Sequence, residues 1–263
     1  ENDRLRIRLD PGQAGCADSI LDKISGKDIA LCQGYGTRIH PAIFEILAGQ
    51  SISEGRVDAV PQPYDMKNMG VDETGTATVT MRGYPVAGPG ATPLHRVRLD
   101  KTCRLAQNRP HLQVDLAFIN ESAEELPLAA WISSGVRITD EDCDVFAPSI
   151  TGTIQTLSPW HAPASMSINI PRAAGGWTAA VARNAPHLGI YLAASDNQVD
   201  AIWNWLGKFP GFTLGFGTPQ VMVQPGGVLR ISYVFGSLRG LARIDGASAA
   251  MAGATPSSAV RNA

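Results

Sequence analysis

AIWNWLGKFPGFTLGFGTPQVMVQPGGVLRISYVFG, residues 201–236, is the stretch that decides the fold class. It contains two closely spaced tryptophans, a run punctuated by glycines, and two β-prone segments joined by Pro225-Gly226-Gly227. Aromatic and β-branched residues on either side of a Pro-Gly turn are typical of an antiparallel hairpin. The stretch therefore predicts the end of a large antiparallel β-sandwich with an aromatic surface.

Alternation of apolar and polar residues with a period of two continues through the rest of the chain. Arg4–Asp10 reads RLRIRLD and places three apolar side chains on one face of a strand. Alternating strand–helix units are absent, which disfavours Rossmann and α/β-barrel enzymes. The predicted fold class is all-β, a large antiparallel β-sandwich with one or two short helices. Further strands are predicted over Thr76–Arg82, Val97–Leu105, Leu112–Asn120, Met166–Ile170, Trp177–Ala182, Leu188–Ala193 and Val228–Phe235.

The remaining segments are predicted to be short helices, loops and a tail. Pro41–Ala48 (PAIFEILA) has a proline suited to a first helical position, and Asp196–Trp205 would add one or two further turns. Gly49–Val71 and Gly83–Leu94 are rich in glycine and proline and predict long loops. We expect one domain over residues 1–245. Residues 246–263 are small and polar, which predicts a flexible tail or a linker to a neighbouring domain.

Composition and charge describe an ordinary globular protein. The chain has 263 residues, 44% of them hydrophobic, and a formal charge of −2. Nothing in this balance predicts a nucleic-acid or membrane partner, and no apolar run approaches the roughly 20 residues that span a bilayer. The sequence begins at Glu1 without a signal-peptide pattern. A periplasmic or secreted protein and a cytoplasmic one therefore both stay open.

The cysteines do not have the spacing of a metal site. Cys16, Cys32, Cys103 and Cys143 form no CxxC pair. Four separate buried thiols are the favoured interpretation, and a pairing of Cys16 with Cys32 in an exported protein is the alternative. The acidic run Asp140–Asp144 lacks the glycine and spacing of a calcium loop and is expected to be a solvated turn. We therefore predict neither a metal nor a cofactor.

Three segments share, in chain order, the pattern of a known fold family. Gly15–Ile29 (GCADSILDKISGKDI) is similar to an opening hairpin, and Leu112–Leu128 (LQVDLAFINESAEELPL) to a central strand, acidic turn and Pro-Leu strand. Val221–Phe235 (VMVQPGGVLRISYVF) is similar to a final hairpin. Together they resemble the galactose-mutarotase-like supersandwich of aldose epimerases and of accessory domains in glycosidases and polysaccharide lyases. The resemblance implies a sandwich with a sugar-related function.

The resemblance does not extend to the catalytic residues. In the epimerases that this chain resembles, a histidine after the Pro-Leu strand is the general acid and a glutamate before the final hairpin is the base. Trp131 and Ser133 stand where the histidine is expected, and Leu214–Phe216 where the glutamate is expected. No glutamate follows Glu141, which leaves 263 − 141 = 122 residues with aspartate as the sole carboxylate side chain. Residue by residue, nothing catalytic carries over.

An enzyme on this sandwich would need a rearranged acid–base pair. His161 is the first candidate, because it follows Trp160 in a loop held by prolines (SPWHAP), where a sugar would stack beside the imidazole. His95 follows a loop, and Asp200 precedes the tryptophan pair. The competing interpretations are a histidine bonded to the backbone and aspartates that cap a turn.

A second set of residues predicts ligand binding. Trp203 and Trp205 are two apart and share a face on a strand, where they would form a platform for a pyranose ring. Asn204 would lie at its edge, with Trp160 as a further aromatic. Arg96 and Arg98 would hold a uronate carboxylate. Core packing of the tryptophans and a solvated strand face for the arginines are the alternatives.

Three hypotheses follow from these residues. The first is a carbohydrate-binding or accessory sandwich without catalysis, with a carbohydrate as its partner. The second is an aldose-epimerase-like or other sugar-active enzyme with a rearranged acid–base pair. The third is a structural domain without a ligand, since a fold does not by itself define a function.

Overall fold

A computed structural model of the chain describes residues 1–30, 41–48, 62–84, 92–138, 143–158, 166–184, 188–206, 211–240 and 244. The regular structure within these ranges is β-strand, with short 3₁₀ helices at Pro11–Gln13, Thr92–Arg96 and Asp196–Gln198. No helix in the described ranges has the length and hydrophobicity to cross a membrane. The strands are β1 (Leu5–Asp10), β2 (Cys16–Asp22), β3 (Lys27–Asp28), β4 (Phe44–Ala48), β5 (Asp65–Val71), β6 (Ala77–Gly83), β7 (Val97–Leu105), β8 (His111–Asn120), β9 (Leu126–Val136), β10 (Cys143–Pro148), β11 (Ile154–Leu157), β12 (Met166–Pro171), β13 (Trp177–Ala182), β14 (Gly189–Ala194), β15 (Ala201–Leu206), β16 (Phe212–Gly217), β17 (Val221–Val223) and β18 (Val228–Leu238).

Two large antiparallel sheets form the sandwich. The nine-stranded sheet has the order β11-β10-β13-β14-β18-β8-β7-β6-β5. The six-stranded sheet has the order β12-β15-β16-β9-β17, with β4 also paired to β9. Strands β1, β2 and β3 form a small third sheet. The predicted all-β sandwich is confirmed.

The main hydrophobic core lies between the two large sheets. On β7 buried and half-buried residues alternate along the whole strand, so that every second side chain enters the core. Phe118 of β8 and Phe235 of β18 come from the nine-stranded sheet, and Ile132 of β9 and Phe216 of β16 from the six-stranded sheet. The side of each sheet that carries these residues is its inner face, and the opposite side is its outer face.

The helix prediction for Pro41–Ala48 is wrong, because Phe44–Ala48 is strand β4. Its partner on β9 determines this outcome: Phe44 lies opposite Ser133, and Ala48 lies opposite Ala129. Strand pairing in the folded protein overrides a local helical pattern of this length. The loop prediction for Gly49–Val71 is wrong at its end, where Asp65–Val71 forms the edge strand β5.

A buried ion pair joins the two sheets through the core. Lys101 lies on the inner face of β7 and Glu45 on the inner face of β4, and both side chains are fully buried. The ammonium group donates to Glu45 Oε2 at 2.8 Å and to the carbonyl oxygen of Ile43 at 2.9 Å. Burial is the largest single influence and opposes the positive charge, but the Glu45 carboxylate together with Cys103 and Cys16 raises the pKa of Lys101 above its usual value.

The same lysine supports a strained residue at the start of β4. Ile43 has a φ of 58°, in the left-handed region that a β-branched residue rarely adopts. Its carbonyl accepts from Lys101, and its N–H donates to Ser134 Oγ at 3.1 Å. The backbone carbonyl and N–H of Ile43 are therefore both hydrogen-bonded to side chains of other strands.

The cysteines of the described ranges are separate thiols. Cys16, Cys103 and Cys143 are free and buried, while Cys32 lies outside the described residues. Burial raises the pKa of Cys16 and of Cys103 to about 12. Burial also raises the pKa values of Tyr64 and Tyr233.

The ion pair predicts a strongly non-additive mutant cycle. We expect Lys101→Met to cost about 3–5 kcal/mol of unfolding free energy, because it leaves the buried Glu45 carboxylate without its cation. The double variant Glu45→Leu/Lys101→Met should cost much less than the sum of its two single changes. Urea unfolding, followed by tryptophan fluorescence, measures the unfolding free energy of each single variant and of the double variant. Lys67→Met is the control, because the Lys67–Asp65 pair is exposed and should change stability by less than about 1 kcal/mol. If the costs of the two single variants add up to the cost of the double variant, Lys101 and Glu45 are not coupled.

The buried thiols predict a loss of stability at high pH. The pKa of each buried thiol rises from 9.0 to about 12 on folding, so above pH 9 the folded protein retains protons that the unfolded chain has released. The free energy of unfolding should therefore fall as the pH rises from about 9 to 12, by roughly 1.4 kcal/mol per pH unit for each thiol. Urea titrations across this range test it. The double variant Cys16→Ala/Cys103→Ala should lose stability less steeply with rising pH than the wild-type chain does. If both lose stability equally steeply, the buried thiols are not the cause.

Candidate functional site

The outer face of the six-stranded sheet carries an aromatic surface. Trp203 and Trp205 point outward from β15, since the intervening Asn204 is fully buried on the inner side. Trp131 points outward from β9, on the far side of β16, and is only 4% exposed although it does not belong to the main hydrophobic core. We call Trp131, Ser133, Trp203, Trp205 and Gly215 the aromatic face.

The aromatic face is held together by contacts across β16. Strand register places Trp203 opposite Gly215 and Gly215 opposite Ser133. The rings of Trp131 and Trp203 meet edge to face, with centroids 4.7 Å apart and an interplanar angle of 73°. This is a favoured aromatic geometry. Ser133, Trp203 and Trp205 are half-buried, so this part of the face reaches solvent, while Trp131 is buried.

Gly215 makes room for this arrangement. A Cβ atom at this position would lie 3.2 Å from Trp131 Nε1 and 2.7 Å from the carbonyl oxygen of Ile132. Any side chain on Gly215 would therefore push the Trp131 indole away or separate β16 from β9. The glycine lets one tryptophan lie across the middle strand and contact another.

The aromatic face has no ionisable side chain at the outward positions of the described strands β4, β9, β15 and β16. The remaining outward residues there are apolar or small. The described ones are Phe44, Ile46, Pro127, Ala129, Gly135, Ala201, Thr213 and Gly217. Among the residues that stand where the resemblance predicts an acid and a base, Ser133 and Gly215 are direct neighbours in the sheet.

The sequence-predicted ligand residues do not all reach this surface. Trp203 and Trp205 share the outward face, as the strand interpretation predicted. Asn204 instead points into the core, where its Nδ2 donates to Thr178 Oγ1 at 2.9 Å. It therefore cannot form the polar edge of an outer platform. Trp160 and His161 lie outside the described residues.

The predicted arginine pair belongs to the other sheet. Arg96 is exposed in the 3₁₀ helix before β7, so it does not share a strand face with Arg98. The Arg98 guanidinium pairs with Glu121 and lies 3.5 Å from Asp100. A hydrogen bond from Arg82 lowers the pKa of Asp100. These charges neutralise one another on the outer face of the nine-stranded sheet.

The two remaining acid–base candidates also come from different sheets. His95 is exposed in the 3₁₀ helix that leads into the nine-stranded sheet. Asp200 is half-buried before β15, and its N–H donates to the carbonyl oxygen of Gly217 at 2.8 Å. Trp131 and Ser133 are site residues that sequence reasoning noted only as replacements for a histidine. The period-two alternation of β9 would have placed both on one face.

No protein-family model matches the sequence, and no curated protein sequence matches it. Solved structures do match. The Slr1438 protein from Synechocystis sp. PCC 6803 is 11% identical with a TM-score of 0.66, over 91% of this chain and 94% of that one. A galactose mutarotase-like protein from Clostridium acetobutylicum is 9% identical with a TM-score of 0.64, over 89% and 93%.

A galactose mutarotase-like protein from Lactobacillus casei ATCC 334 is 12% identical with a TM-score of 0.62, over 90% of this chain and 98% of that one. Identities this low carry the fold and not an activity. The resemblance of the three sequence segments is confirmed at that level: the chain has the fold of galactose mutarotase-like proteins.

Proposed function

We propose that this chain binds carbohydrate on the aromatic face and does not catalyse its conversion. The observation that carries the proposal is the group of three tryptophans on the outer face of the six-stranded sheet. Trp203 and Trp205 are half-buried there, and Trp203 contacts Trp131. Partly exposed aromatic clusters mark binding surfaces, and flat indoles complement the apolar faces of sugar rings.

The uncharged character of the same face supports binding without catalysis. Opening of a sugar ring needs one group that removes a proton and another that donates one. The residues that stand where the resemblance expects those groups, Trp131 and Ser133 for the acid and Leu214–Phe216 for the base, include neither a histidine nor a carboxylate. His95 precedes a strand of the nine-stranded sheet and Asp200 precedes a strand of the six-stranded sheet, which weighs against a rearranged pair between them.

Removal of single indoles tests the binding surface. We expect Trp203→Ala and Trp205→Ala each to weaken binding of glycan-array hits about tenfold or more, because each loses a stacking surface. Calorimetric titration of the hits measures the affinities. Tyr84→Ala is the matched control: this tyrosine is 48% exposed, lies at the end of the nine-stranded sheet, and should leave binding unchanged. If the wild-type chain binds no glycan, the proposal fails and the structural-domain hypothesis gains.

A separate measurement tests the absence of catalysis. We expect the purified chain to leave the mutarotation rates of α-D-glucose and α-D-galactose at their buffer values, as measured by polarimetry. Acceleration of mutarotation would contradict this part of the proposal. Acceleration that is lost in Asp200→Asn or His95→Ala would establish the epimerase-like alternative.

A further inference from the structure

We infer that the aromatic face selects uncharged sugars, and that the Ser133 hydroxyl is the group that orients them. The inference rests on the proposed function and specifies its ligand class and a specificity-determining residue. It is carried by two observations: the distribution of charge over the two outer faces, and the position of Ser133 among the tryptophans.

Charge is distributed very differently over the outer faces of the two sheets. The nine-stranded sheet carries ion pairs on its outer face, among them Arg82–Asp100 and Arg104–Asp115. The described outward positions of β4, β9, β15 and β16 on the other sheet carry none. A carboxylate or phosphate placed on the aromatic face would lose hydration without gaining a cation from these strands. Arg137, just beyond the end of β9, is the next charged residue in the outward alternation, two outward positions from Ser133. The part of the face around Ser133 therefore favours a ligand without charge.

Ser133 provides a hydrogen-bonding group at the centre of this face. It is half-buried and lies opposite Gly215 on one side and Phe44 on the other. Within the described ranges its hydroxyl has no hydrogen-bond partner. The adjacent Ser134 differs, because it is fully buried and accepts from Ile43. A hydroxyl both donates and accepts, so Ser133 matches a sugar hydroxyl above the neighbouring indoles.

Matched pairs of sugars test the charge selectivity. Binding of D-galactose is compared with that of D-galacturonate, and binding of D-glucose with that of D-glucose 6-phosphate, by calorimetry. We expect the neutral member of each pair to bind about tenfold or more tightly. The affinity of the neutral sugar should be the same at 50 mM and 500 mM salt. Salt screens interactions between charges, and a neutral sugar makes none. Equal or tighter binding of the charged members would overturn the selectivity.

A serine series tests the orienting role. We expect Ser133→Ala to weaken neutral-sugar binding about five- to tenfold without a change in the melting temperature, because the lost hydrogen bond is made to the ligand. Ser133→Thr keeps the hydroxyl and should restore most of the affinity. Ser232→Ala, on the outer face of the nine-stranded sheet, is the control.

The outcomes separate this inference from the proposed function. Unchanged affinity in Ser133→Ala, together with a loss in Trp203→Ala, would overturn the role of Ser133 and leave carbohydrate binding intact. If Ser133→Ala and Ser133→Thr lose the same amount of affinity, the hydroxyl does not orient the sugar. Failure of the wild-type chain to bind any neutral or charged sugar would overturn the proposed function itself.

Discussion

The register of β9 is the constraint on which the candidate site depends. This strand pairs with β16 on one side and with β4 on the other, so that Gly215, Ser133 and Phe44 lie in one row across three strands. A slip of one residue would turn Trp131 and Ser133 into the core and Ile132 out to solvent. The buried inner face therefore fixes which side chains form the aromatic surface. The hydrophobic core specifies the site although none of its residues belongs to the site.

The buried ion pair contributes to the same arrangement from the inside. Lys101 binds Glu45 and the carbonyl of Ile43 at once, and thereby connects β4 to the nine-stranded sheet. A left-handed conformation at a β-branched residue costs about 1–3 kcal/mol and persists where surrounding contacts hold it. Because Glu45 points inward on β4, its neighbours Phe44 and Ile46 point outward beside β9. An interior charge pair thus helps to define one border of an uncharged outer face.

The alternation of apolar and polar residues predicted a strand correctly where that alternation is clear. The prediction failed where pairing with another strand determines the secondary structure. Val97–Leu105 and Trp177–Ala182 begin and end at the predicted residues, although the burial alternates only on Val97–Leu105. The same alternation places Lys101 in phase with Leu99 and Cys103, so its burial was readable from β7 alone. Its partner was not, since Glu45 lies in a segment whose local sequence resembles a helix. Asn204 was misplaced for a different reason: a residue between two tryptophans that share one face of a strand must point to the opposite face, which here is the core.

The two outer faces show why a shared fold does not carry a shared chemistry. Both are built from outward positions of antiparallel strands, and the same backbone supports Arg82–Asp100 on one sheet and Trp131–Trp203 on the other. Proton transfer to a sugar needs ionisable groups within reach of the ring. In this chain, one row of the six-stranded sheet holds Ser133 and Gly215, and the glycine also makes room for an indole. An acidic side chain at Gly215 would displace Trp131, so this aromatic surface and a carboxylate base exclude each other at that position.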